Sequence, residues 1–229
     1  MSPRTPLTLY EEILLLALDD DKGTTELGGM YTKAMGGAIL AELVLGRSIA
    51  IGDDKQKKVR VVSPQPVGDE ILDACLALIV ADGKEKRANH WVMKFTGLKD
   101  LKNRVARQLV KKRVLTESED KVLGLFRRVV YPESDPGPER ELVERMRKAI
   151  FTSTAQVDPR TVIIVALTHA TSMLPKIFDK RKLKDRKRRL EKLTSGQVVG
   201  QATKEVVQAM QTAIMVSTVI VPVVISSSH

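Results

Sequence analysis

One cysteine, one tryptophan and three histidines stand among 229 residues, and each scarcity removes a class of chemistry. A lone Cys75 excludes an internal disulfide and a cysteine-based zinc site. Its neighbours Ala74, Leu76 and Leu78 are apolar, which predicts a buried structural thiol. His90, His169 and His229 do not stand at metal-ligand spacing from one another, from the cysteine or from a carboxylate, so no metal site and no cofactor are expected. His169 lies in the apolar run Ala166 to Ala170 and reads as a hydrogen-bonded core histidine. No G-x-S-x-G elbow, Walker A loop or strand-linked dinucleotide fingerprint occurs. The Gly28-Gly29 and Gly36-Gly37 pairs lack the preceding strand and the following Lys-Ser/Thr, so nothing points to an enzyme. Aromatic residues make up 3% of the chain, too few for the stacking platforms that single-stranded nucleic acid requires.

Long hydrophobic runs are also scarce. A spanning helix needs about 20 predominantly apolar residues. The only candidate, Val206 to Ile225, is broken by Gln208, Gln211, Thr212, Ser217 and Pro222, and is read as a buried core helix ending near the proline. Met1-Ser2-Pro3-Arg4 runs straight into a helix signal without signal-peptide architecture. Asp19-Asp20-Asp21 lacks the alternating spacing of a calcium loop and reads as a solvated helix stop.

What is present is ordinary globular composition, 43% hydrophobic and 29% charged, with a formal net charge of +10. A core poor in aromatics rests on aliphatic side chains, which suits helices packed on helices. The expected fold is mainly α: one globular helical domain over residues 7–225, with one or two β-hairpins, a short tail over 1–6 and another over 226–229. Thr8 and Glu11 form a capping box ahead of Ile13 to Leu18. Gly28-Gly29-Met30-Tyr31 reads as a loop before a helix from Ala34 to Leu45. Ser48 to Ile51 and Lys58 to Val62 read as a hairpin. Helices are expected over Asp69 to Val80 and Leu98 to Lys112. Arg113-Val114-Leu115 and Val122 to Val130 then flank a polar turn, Glu117 to Asp120, so that a helix and hairpin occur twice. Further helices run from Glu139 to Phe151, from Asp158-Pro159 to Leu174, from Lys176 to Lys192 and from Thr203 to Val221.

The positive excess sits in two segments. Lys84 to Arg113 carries eleven Lys/Arg against two acids, and Lys176 to Lys192 ten against three. Such clusters predict an anionic partner: phospholipid, nucleic acid or acidic protein. On a continuous helix Lys99 and Lys102 would share one face and hold two oxygens of one phosphate, with Arg107 and Lys111 extending the charge and Leu98, Leu101, Val105 and Leu109 opposite. A basic helix beside a wing-like hairpin is also compatible with a nucleic-acid-binding protein. Against that reading, readers of base edges are few, and the helix of residues 34–45 is too apolar to lie in a groove. Lipid phosphates require only clustered charge.

Five blocks, in order, resemble the Golgi phosphoprotein 3 family. They are Leu7 to Leu18, Gly36-Gly37-Ala38-Ile39-Leu40-Ala41-Glu42-Leu43, Gly68 to Asp73, Val105 to Thr116, and Ala166-Leu167-Thr168-His169-Ala170. The chain resembles a divergent member. The resemblance implies a helical domain with a hairpin near residues 114–131. It also implies a peripheral membrane protein recognising phosphatidylinositol 4-phosphate and, in eukaryotic members, an adaptor gathering cytoplasmic tails of Golgi membrane proteins. The expected location is cytoplasmic, against a Golgi membrane in a eukaryote or the inner membrane in a bacterium. By position, the family's lipid-binding Trp and Arg fall on Leu27 and Gly36, and its two basic residues on Lys99 and Lys102. Lys retains the charge of Arg but not its bidentate fork. Lys33, Arg107 and Lys111 are supporting candidates. Leu123, Leu125 and Phe126 mark a hairpin tip expected as a membrane wedge or homo-oligomer contact, or as ordinary hairpin packing.

Overall fold

A computed structural model describes residues 5–25, 29–52, 56–122, 126–200 and 203–210. The fold is mainly helical with two small antiparallel sheets, as expected. Helix α1 (Leu9–Leu15) opens with the capping box: Glu11 N–H donates to Thr8 Oγ1 and the Thr8 amide donates to the Glu11 carboxylate at 2.7 Å. Every residue of α1 is buried. It packs against α2 (Met30–Leu45), which begins earlier than the sequence suggested, with Met30 and Tyr31 inside the helix rather than in a loop. Burial of the Tyr31 ring accounts for the added turn.

Strands β1 (Ile49–Ile51) and β2 (Lys58–Val61) form the first hairpin, with Ile49 opposite Val61, and β3 (Lys86–Arg87) adds a third strand beside β2. Between them α3 (Glu70–Asp82) is capped by Asp69, whose carboxylate accepts the Ile71 and Leu72 amides. Cys75, on α3, is fully buried, and burial pushes its thiol up to about 12, as an inert core group requires.

Helix α4 (Ala88–Thr96) was not foreseen. Its segment is short and carries no capping side chain, but Trp91, Val92 and Phe95 fall on one face and are wholly buried, so tertiary packing overrides weak local propensity. Helix α5 (Leu101–Lys111) then packs on α1. The second hairpin pairs β4 (Ser118–Val122) with β5 (Phe126–Val130). Glu117 to Asp120 is therefore mostly strand rather than turn. Asp120 on β4 faces Arg128 on β5 and meets it at 2.7 Å, and Glu119 reaches Arg127 on the diagonal at 3.3 Å; opposite charges across a ladder favour this register.

Helices α6 (Gly137–Phe151) and α7 (Pro159–Ala170) follow. Asp158 caps α7 by accepting the Thr161 amide at 2.8 Å. The helix ends before Leu174, because Ser172 adopts a left-handed conformation at φ 57°. His169 is exposed on the last turn of α7, not a core residue; the stripe that buries Val165 to Thr168 passes it by. The basic segment is not one helix but three: α8 (Leu174–Ile177), α9 (Lys180–Asp185) and α10 (Lys187–Thr194). Asp179 accepts the Arg181 and Lys182 amides and so starts a new helix, and Arg186 forms the break between α9 and α10. Helix α10 lies on α6 and α7. A last helical stretch covers 203–210, with Val207, Ala209 and Met210 buried. The expected continuation to Val221, the Pro222 stop, most of the N-terminal tail and the C-terminal tail lie outside the described residues. No described helix is long and apolar enough to cross a membrane.

Candidate functional site: two basic surfaces

Lys99 does not lie on α5. It occupies the turn after α4, and Asp100, in a left-handed conformation at φ 58°, separates it from the helix. The shared helical face expected of Lys99 and Lys102 is therefore absent, although the two remain close in sequence at the N-terminal end of α5. Lys99 is exposed. Lys102 is partly buried, and desolvation followed by the nearby positive charge of Arg128 lowers its pKa. Neither lysine has an acidic partner among the described residues. Arg128 is itself paired with Asp120 at 2.7 Å, so Lys102 and the exposed Lys99 are the cations at this end of α5 left without an ion pair among the described residues, and unpaired cations attract anions.

Much of the remaining charge in this segment is neutralised internally. Arg107, a supporting candidate, is shared by Asp100 at 3.3 Å and Glu117 at 3.9 Å. Arg104 pairs with Glu70, Lys112 with Glu11, and Lys86 and Lys94 with Asp82. Lys111 is exposed without an ion pair among the described residues. Lys33 lies part-exposed near the start of α2.

Gly36 departs furthest from its assignment. It is buried where α2 crosses α4, and a Cβ there would stand 2.7 Å from the Val92 carbonyl oxygen and 3.1 Å from Thr96 Cγ2. No side chain reaches lipid from this position. The chain's single tryptophan, Trp91, is also fully buried, so its indole is not at the surface. Leu27, Leu123 and Leu125 lie outside the described residues, and of Phe126 only the backbone pairing with Val122 is described.

The second basic surface is built differently. From Lys176 to Lys192 every Lys and Arg is exposed except Arg189, which is tied to the carbonyls of Ala149 at 2.9 Å and Thr154 at 2.7 Å. No ion pair forms along this stretch among the described residues. Leu183, Leu190 and Leu193 point inward and anchor α9 and α10.

Sequence reasoning overlooked a set of buried charge pairs around α1. Glu11 meets Lys112 at 2.6 Å, Glu12 meets Arg145 at 2.6 Å, and Glu42 meets Arg160 at 2.7 Å. Burial holds Glu12 above the usual carboxylate range, against the pull of Arg145 and Arg160. The Tyr10 hydroxyl donates to Asp69 at 2.6 Å, joining α1 to the α3 cap. Two adjacent acids in an otherwise apolar helix were the available signal, since buried carboxylates require cationic partners.

Asp20 lies instead near Glu133 and Glu139. Burial, then repulsion from Asp20 and Glu133, pushes Glu139 up to about 8. The described residues contain no acidic or histidine group able to hold a metal ion. Because the folded state binds this proton more tightly than the unfolded state, stability contributed by Glu139 is full at low pH and falls as pH rises from near 4.5 to about 8. Glu139→Gln should flatten that slope and gain relative stability at alkaline pH. Urea titrations at several pH values measure this, and parallel profiles for the two proteins would refute it.

The model for the Golgi phosphoprotein 3 family matches residues 9–210. A vacuolar protein sorting-associated protein 74 from Eremothecium gossypii is 25% identical over 205 residues, which cover 75% of this chain and 61% of that relative. The chain thus spans less than two thirds of the length of this relative.

Proposed function

The chain belongs to the Golgi phosphoprotein 3 family, and on that premise we propose that it is a peripheral adaptor that docks on anionic membrane and holds the cytoplasmic tails of membrane proteins. It acts by binding, without catalysis, at the cytoplasmic face of a membrane, which in a eukaryotic cell is the Golgi. The observation that carries this reading is the partly buried Lys102 beside Arg128, with exposed Lys99 nearby and no acid assigned to either lysine among the described residues. Arg128 is already paired with Asp120, so the charge left for a phosphate is that of the two lysines, and burial of Lys102 makes an anionic partner favourable. The family resemblance makes phosphatidylinositol 4-phosphate the head group. Gly36, buried under α4, supplies none of the family's arginine contact, so recognition falls to the lysines.

Vesicle flotation tests the proposal. The protein is expected on vesicles containing phosphatidylinositol 4-phosphate. A charge-assisted hydrogen bond to a head-group phosphate is worth about 1.5–3 kcal/mol, so Lys99→Glu with Lys102→Glu should weaken that binding by roughly tenfold or more. Absence of recruitment at low salt would sink the proposal, and equal binding to phosphatidylserine vesicles would leave a charge sensor in place of a head-group reader. Binding of duplex DNA at physiological salt through the same lysines would favour the nucleic-acid reading instead.

A further inference from the structure

The two basic segments are not equivalent, and the difference lies in how much of their charge is spent inside the protein. Around α4 and α5, Lys86, Lys94, Arg104, Arg107 and Lys112 all have carboxylate partners. Along α8 to α10, the ten Lys/Arg outnumber the three acids. Asp179 is occupied in capping α9, and Asp185 and Glu191 form no ion pair among the described residues. The surplus of this stretch is seven charges, left without ion pairs among the described residues, whereas much of the surplus around α4 and α5 is paired.

We propose that the α9–α10 face is a second, membrane-adsorbing surface, which supplies most of the electrostatic attraction to anionic lipid, while Lys99 and Lys102 contribute head-group recognition. This inference rests on the membrane-docking reading above. Three features favour a lipid surface over other anions. The break at Arg186 means that the cations do not lie along one continuous helix, the rod that a nucleic-acid groove would take. Residues 176–194 contain no Asn or Gln to read base edges, and their one aromatic residue, Phe178, is buried. No large apolar side chain is exposed there either, so the contact is adsorption at the head groups without insertion. Helix α5 packs on α1 whereas α10 packs on α6 and α7, so the two surfaces belong to separate parts of the helical core.

The experiment uses the full chain and vesicles of phosphatidylcholine with phosphatidylserine, without phosphoinositide. Wild type should bind at about 0.1 M salt and be released near 1 M, where the screening length falls from roughly 10 to 3 Å. Lys180→Glu, Lys184→Glu, Lys187→Glu and Arg188→Glu together should lower binding at least about tenfold, since each such charge near the surface is worth about 1 kcal/mol. The Lys99/Lys102 variant should change it by less than about threefold. The same four positions changed to Gln, with thermal melting of both variants as a control, keep the test valid if the Glu variant misfolds. Unchanged binding by a folded α9–α10 variant overturns the inference while leaving membrane docking intact. Failure of wild type to bind vesicles of either composition overturns both. Loss of duplex DNA binding by the variant, with vesicle binding retained, assigns this face to nucleic acid and also overturns the inference.

Discussion

Gly36→Arg is expected to leave the protein largely unfolded, and Gly36→Ala to lower its unfolding free energy by about 1–3 kcal/mol. The cause is the crossing of α2 and α4. A Cβ at position 36 meets a backbone carbonyl, that of Val92, at 2.7 Å, and backbone cannot swing aside as a flexible side chain can. Alanine gains up to about 1 kcal/mol of helix propensity over glycine, which offsets part of the overlap. Arginine adds a long charged side chain with no space and no acid to meet it, the combination that produces exceptional losses. Circular dichroism with urea titration measures both variants. A Gly36→Arg protein with a wild-type midpoint would show that the two helices do not meet here. The consequence for function is specific: the arginine that the family resemblance assigns to this position cannot be reinstalled by one substitution. A further contact to the head group, beyond those proposed for Lys99 and Lys102, would have to come from another position.

Arg160→Ala should cost about 3 kcal/mol of stability. Arg160 donates to both oxygens of Glu42, at 2.7 and 3.2 Å, and to the Leu7 carbonyl at 3.1 Å. Glu42 in turn accepts the Leu9 amide at 2.6 Å, so one carboxylate ties α7, α2 and the start of α1 together. Its side chain is only 11% exposed. Burial works against the Arg160 charge, but the Glu42 carboxylate outweighs it and the guanidinium pKa is raised. Removing the arginine leaves a buried carboxylate without its cation, and that uncompensated charge dominates the loss. Because Arg160 remains about one third exposed, water compensates in part, which places the estimate at the low end for buried pairs. Arg160→Lys should recover only part of it, since an ammonium cannot span both carboxylate oxygens. A loss below about 1 kcal/mol in chemical denaturation would mean that the pair behaves as a surface ion pair.

The parts of the fold that were legible are those decided within a few residues. Thr8 with Glu11, Asp69, and Asp158 with Pro159 each satisfy orphan helix amides locally, and each marks a helix start in the structure. The aliphatic runs of α1 and α7 were identifiable as core for the same reason: no arrangement in water leaves them exposed cheaply. Misreadings arose where a local signal had a distant competitor. The short, uncapped segment 88–96 became helix because Trp91 and Phe95 found a core. The polar run 117–120 became strand because bases on β5 lay opposite its acids. The long basic helix broke because the Asp179 carboxylate took the amides that a continuous helix would have spent on its own carbonyls.

The same division runs through the function. Family, helical class, net +10 and the existence of two basic segments follow from the chain alone, because they depend on residue identity and near-neighbour spacing. Which charges remain available to a ligand does not. Arg104 and Glu70, or Lys112 and Glu11, are far apart in sequence and neutralise each other only because the helices that carry them meet. Tertiary packing buried Gly36 and Trp91, moved Lys99 off its helix, and left the cations of α9 and α10, Arg189 apart, facing outward without ion pairs among the described residues. A Coulomb interaction depends on distance and burial, neither of which is contained in a count of lysines.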